Sequence, residues 1–202
     1  MSMKYGDLAK YRHAGVMMLK EPALSTLRAG GNPQQASIAV RRSTEESQRV
    51  ISQVTGENLL QLIRDDAGDG LWVPYLAQKT VYGFLSGAQT WAASGPYSGC
   101  YFEVGRIDGR IYVAHISCEM KNDPNVAAWR EAPEMARKEV LFSKKIGMAA
   151  EFPLGTTNAA TIVFADLAGG RVAATRVDVQ TRSAGGMSGP IFGVEEITSD
   201  AY

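Results

Sequence analysis

The sequence predicts an α+β domain in which mainly antiparallel β-sheets pack as a sandwich-like core with flanking helices. Three observations lead there. Helical patterns come early and in the middle, while short runs rich in Val, Tyr, Trp and Phe, separated by Gly, Pro and Ser, fill the remainder without regular strand–helix alternation. Asp108-Gly109 and Gly169-Gly170 stand between apolar runs as hairpin turns. Finally, 202 residues that are 45% hydrophobic and 21% charged suffice for one sizeable core, so residues 1–202 are expected to form a single domain, with 1–35 loosely ordered.

The opening stretch to Lys20 suits a short helix, and "ALSTLRAGGNPQQAS" has the Gly, Pro and Ser content of a loop. "SIAVRR" suits a short strand. "STEESQRVISQV" predicts a helix with Ser43 as N-cap and Glu46 completing a capping box, Val50, Ile51 and Val54 sharing a face. "NLLQLIRDD" continues helical periodicity up to the "DAGDG" turn. "LWVPYL" and "TVYGFL" are strand candidates, as are the two arms of "PYSGCYFEVGRIDGRIYVAHIS". "NDPNVAAWREAPEMARKEVLFSKK" predicts helix, with Asp123 as N-cap, Pro124 at the first helical position and Pro133 opening a second segment. The strand-like runs "GMAAEF", "AATIVFADL", "GRVAATRVDVQT" and "GPIFGVEEI" complete the chain.

Composition excludes several function classes. Net charge is zero and no run of five like charges occurs, so the electrostatic footprint of a nucleic-acid or anionic-membrane binder is missing. No stretch approaches a membrane span and the N-terminus lacks the apolar run of a secretory signal. Two cysteines fit a reducing environment, and two cysteines with two histidines at no paired spacing form no zinc set. Neither a metal nor another cofactor is expected.

Chemistry concentrates at the Asp108-Gly109 hairpin. With these two residues at the centre of a type I′ turn, Ile107 faces Arg110, Phe102 faces His115 and Cys100 faces Ser117. Cys100 and His115 then share one sheet face as diagonal neighbours roughly 7–8 Å apart at the backbone, while Cys118 points the other way. An imidazole near a thiol activates it for acyl chemistry on an amide or ester. Gly99 lets backbone approach a substrate, and an N–H near Cys100 would stabilise an oxyanion.

The "SGC" tripeptide, followed by strand, turn and strand ending in His fifteen residues later, resembles the centre of the cytotoxic necrotizing factor toxins. It is also similar to the Burkholderia lethal factor type of glutamine deamidase and to bacterial chemoreceptor glutamine deamidases. The resemblance implies packed β-sheets with flanking helices and hydrolysis of a glutamine side-chain amide on a target protein. Cys100 would be the nucleophile and His115 the general base and acid. Ser94 would stand where some members carry a Thr that orients the histidine. Tyr97 replaces a frequent leucine as pocket wall, and Ser98 and Gly99 would complete the pocket and oxyanion site. The implied partner is a protein bearing the substrate glutamine, such as a host GTPase or translation factor. A monomer is expected, with delivery to a host cytosol or a cytoplasmic location.

Other constellations compete. "GGMSGPIFG" faintly resembles the nucleophile loop of chymotrypsin-like proteases, with Ser188, His115 and Asp166 as triad, but too little chain separates Asp166 from Ser188; a Gly-rich turn is expected instead. His13 reads as a solvated residue, "DDAGDG" as a turn without the ligand pattern of a calcium loop, and "DLAGGR" lacks the Lys-Ser/Thr of a phosphate cradle. Trp72, Trp91 and Trp129 read as core or rim, with Trp91 near the site. Alternative functions are another cysteine hydrolase, either a protease or an amidase, and a non-enzymatic interaction module with a structural Cys/His.

Overall fold

The computed structural model describes residues 8–9, 18–20, 42–43, 48–55, 59–131, 136–148, 158–181 and 189–200. The chain is mainly β. Strands β1 (Met18–Lys20), β3 (Gln48–Thr55), β4 (Leu59–Arg64), β5 (Gly70–Pro74), β7 (Trp91–Tyr97), β11 (Ala159–Asp166), β12 (Ala173–Gln180) and β13 (Gly189–Ile197) close a barrel in the order β1-β13-β12-β11-β7-β5-β3-β4. Against it lies a five-stranded sheet, β10-β8-β9-β6-β2, built from β2 (Arg42–Ser43), β6 (Thr80–Phe84), β8 (Tyr101–Ile107), β9 (Arg110–Ile116) and β10 (Lys138–Lys145). Pairing is mostly antiparallel, with β5–β7, β1–β4 and β2–β6 parallel. Helix α1 (Pro124–Glu131) covers the outer face of the second sheet.

Three apolar layers follow from strand alternation. The barrel is filled by Trp72, Trp91, Ile162, Phe164 and Val177. Between barrel and sheet lie Val73, Ala92, Tyr97 and Val163 from one side, Phe102, Val104, Val113 and Phe142 from the other, with Cys100 at the margin. Tyr112, Ala114 and Ile116 face outward against Val126 and Trp129 of α1. In that outer layer the buried Glu103 carboxylate accepts hydrogen bonds from Tyr112 Oη (2.8 Å), Trp129 Nε1 (2.7 Å) and Lys138 Nζ (3.2 Å), tying α1 and β10 to β8.

The hairpin forms as expected. Asp108 (φ 49°) and Gly109 (φ 77°) both adopt the positive φ that a type I′ turn demands, Ile107 pairs with Arg110, and Phe102 with His115. The ladder ends at Tyr101–Ile116, one residue short of Cys100. Asp123 caps α1, its Oδ1 accepting from Asn125 N at 2.9 Å. Asp65 makes the expected turn, accepting from Ala67 N and Gly68 N.

Several helices do not exist. The helix expected over 43–54 is strand: Ser43 lies in β2 beside Val81 rather than at an N-cap, and β3 pairs with β4, the second supposed helix, with Ile51 opposite Ile63 and Val54 opposite Leu60. The β-branched Val50, Ile51, Val54 and Thr55 suit a ladder, and long-range pairing overrides the capping-box signal. The flanking-helix half of the expected α+β class therefore gives way to a mainly β architecture. Leu8–Ala9 are helical but Met18–Lys20 are strand, so no helix runs on to Lys20. The 122–145 helix stops at Glu131, and Lys138–Lys145 become β10, which satisfies backbone groups that β8 would otherwise leave open. Gly147-Met148 are not strand. The loop 23–37, His13, Pro133 and Ser188 lie outside the described residues.

Candidate active site

The site sits where the outer face of the barrel meets the second sheet. β9 turns His115 toward this interface, as alternation with Val113 requires. Its ring stacks on Tyr97 (centroids 4.1 Å, interplanar angle 2°) and meets Tyr75 at 5.3 Å and 49°. Nδ1 lies 2.9 Å from Ser94 Oγ, and Ser94 Oγ accepts a 2.9 Å hydrogen bond from Tyr97 Oη. Parallel pairing of β5 with β7 places Val73 opposite Ser94 and brings Tyr75 alongside, its N–H donating to Gly95 O at 3.2 Å.

His115 is 1% exposed and no counter-charge compensates its burial, which lowers its pKa to about 3. The imidazole is neutral at neutral pH. Among the described residues its Nε2, like Trp72 Nε1 and Trp91 Nε1, is buried with no hydrogen-bond partner, an unpaired group that normally calls for a functional or solvent explanation. Either group can donate in the Ser94–His115 contact; in the tautomer whose Nδ1–H donates to Ser94 Oγ, Nε2 presents a lone pair, the state a general base needs.

Cys100 follows the Ser98-Gly99 bend after β7. Gly99 takes φ 137°, a region L side chains rarely enter, which explains glycine here. Gly99 N–H donates to Ile146 O (2.8 Å) and Cys100 O accepts from Ile146 N (2.9 Å), pinning the segment. Burial raises the Cys100 thiol pKa, partly offset by the Cys118 backbone N–H. Cys100 and Cys118 are both free thiols; Cys100 packs in the inter-sheet layer and Cys118 beside the outer one, the opposite-face arrangement that hairpin parity predicts.

Cys100 and His115 share neighbours: of the two rings that flank His115, Tyr97 belongs to the buried cluster that holds Cys100 and Tyr75 packs against that cluster. They are not hydrogen-bonded to each other, since Nε2 has no partner; catalytic contacts often tighten only with substrate bound. Ser94 reaches His115 directly. Tyr97 is buried, so it supports His115 from behind instead of lining an open pocket. The Gly99 N–H is already committed to Ile146 O, so it is not free for the oxyanion role expected of it. Ser98 is exposed beside the site.

The protease constellation fails on geometry. His115 Nδ1 belongs to Ser94, while Asp166 Oδ1 accepts from Ala168 N at 2.9 Å. Trp91 faces the barrel interior, away from Ser94. Among the described residues no group of three His, Cys, Asp or Glu side chains is placed to hold a metal ion. Sequence reasoning missed Tyr75. Only its position after "WVP" marks it, and nothing local ties that loop to His115.

Fold and site together define a mainly β protein with a buried histidine hydrogen-bonded to a serine hydroxyl and a buried free thiol in the same inter-sheet layer. No protein-family model matches the chain, and no curated protein matches it. Among solved structures it is similar to the C-terminal domain of CNFy from Yersinia pseudotuberculosis, with 9% sequence identity and a TM-score of 0.31 over 75% of this chain and 71% of that one. A likeness at that level leaves the chemistry to be argued from the residues themselves.

Proposed function

We propose that the chain is a protein-glutamine deamidase of the toxin or effector kind, acting on a target protein in a host cytosol through Cys100 and His115. One observation carries the reading: a buried imidazole hydrogen-bonded at Nδ1 to Ser94, with no partner for Nε2 among the described residues, beside the inter-sheet layer that also holds the Cys100 thiol. The "SGC"-to-histidine spacing of the deamidases it resembles supports the assignment of the substrate as a side-chain amide.

The pair rests neutral, because burial raises the thiol pKa and lowers that of the imidazole. Proton removal and attack are therefore coupled: Nε2 takes the thiol proton as Sγ bonds to the carboxamide carbon, and negative charge builds on the amide oxygen. His115 returns the proton to the departing nitrogen, releasing ammonia and leaving a thioester. Water then attacks the thioester carbon, giving a proton to Nε2, and the C–S bond breaks with return of that proton to Cys100. Glutamine becomes glutamate.

A second reading has its own observation. Cys100 is 4% exposed and His115 1%, burial that suits structural residues in an interaction module. Mass mapping of host-lysate proteins after incubation with wild type and with Cys100→Ser separates the two. Glutamine-to-glutamate conversion with ammonia release, seen only with wild type, supports the deamidase. Equal outcomes for both proteins refute it, and cleaved targets would indicate a protease instead.

A further inference from the structure

Cys100 and His115 lie covered, so a substrate amide reaches them only if a wall of the site moves. Tyr97 is no candidate: its ring is buried, stacked in parallel on His115 and hydrogen-bonded to Ser94. Tyr75 differs in each respect. It is half-buried, follows the end of β5 in the segment before β6, and meets His115 at a tilt. Its hydroxyl donates to the exposed Glu119 across a long 3.4 Å, with Ser117 also reaching it. Glu119 belongs to the segment after β9, so this contact joins two loops over the centre. Tyr75 also packs against the buried cluster that holds Cys100.

We propose that Tyr75 is the movable wall of the centre, and that the planar side-chain amide of the substrate occupies the space its ring leaves beside His115. The second half rests on the deamidase reading; the first does not. The Glu119 contact holds the wall shut, and a flat, unbranched carboxamide is the shape that fits a slot vacated by a ring next to a stacked Tyr97–His115 pair. Branched or β-substituted amides are disfavoured by the same slot.

The test is iodoacetamide labelling of wild type, Tyr75→Ala, Tyr75→Phe and Glu119→Gln, resolved by peptide mapping. Labelling is followed against pH to separate access from thiol ionisation. Cys118, half-buried on the other face, is the internal reference. Because labelling scales with the open fraction, Tyr75→Ala is expected to label Cys100 roughly tenfold faster, with smaller gains for the other two and Cys118 unchanged. A wild-type Cys100 rate in folded Tyr75→Ala overturns the proposal, and so does equal acceleration of both cysteines. If Tyr75→Ala does not fold, absence of any gain in both Tyr75→Phe and Glu119→Gln overturns it. Labelling needs no amide substrate, so failure of the deamidase reading shows separately, as a Cys100→Ser protein that behaves like wild type on targets.

Discussion

Acid should destabilise this protein in large part through His115. The His115 pKa falls from 6.5 to about 3 on burial, so between these values the unfolded chain binds a proton that the native state refuses. Stability is therefore retained above the unfolded pKa and lost as pH falls through the window toward the folded one. Each pH unit inside the window is worth about 1.4 kcal/mol. Integrated from about pH 7.5 to about pH 4.5, the loss comes to about 2.7 kcal/mol, a large part of the roughly 5–15 kcal/mol that holds a domain folded. The comparison is urea unfolding of wild type and His115→Asn across that range, followed by fluorescence of the buried Trp72, Trp91 and Trp129. Asparagine keeps an amide to meet Ser94 but does not titrate. Carboxylates such as Asp200, whose pKa is depressed by Lys144 and the Lys145 N–H, contribute to both proteins and cancel in the difference. The wild-type stability should drop more steeply than the variant by about that 2.7 kcal/mol. Parallel curves would refute a fully buried, uncompensated imidazole.

Ser94→Ala strands both Tyr97 Oη and His115 Nδ1 in a buried site, costing about 1–3 kcal/mol for each group left unpaired. In a deamidation assay it should lower kcat on the order of tenfold or more with KM little changed, while Ser94→Thr, which keeps the hydroxyl, stays nearer to wild type. Glu103→Gln removes the charge that neutralises the buried Lys138 and should cost about 3–5 kcal/mol in chemical denaturation. Adding Lys138→Met should recover much of the loss. Because Glu103 faces α1 and not the inter-sheet layer, Cys100 labelling under native conditions should not change in the Glu103 variant.

What the residues determined by themselves was local. Asp108-Gly109 imposes a turn with two positive φ values, the turn sets the β8–β9 register, and a side-chain period of two then decides that His115 shares a face with Phe102 and Cys100 while Cys118 does not. Asp123-Pro124 marks the start of α1 for an equally local reason, an oxygen available to the first free N–H groups. Tertiary structure decided the rest. Segments 48–55 and 59–64 carry helical periodicity yet pair as strands, because barrel closure offers each a partner that propensity cannot anticipate. The same holds at the site. Ser94 entered through a family resemblance and Tyr75 not at all, since both reach His115 only when β5 pairs in parallel with β7 and the barrel face docks on the second sheet. A parallel pair has no connecting turn to record its register in adjacent residues. The shared face of Cys100 and His115 was therefore readable from one hairpin, whereas the orientation, burial and proton affinity of the imidazole belong to contacts between distant strands.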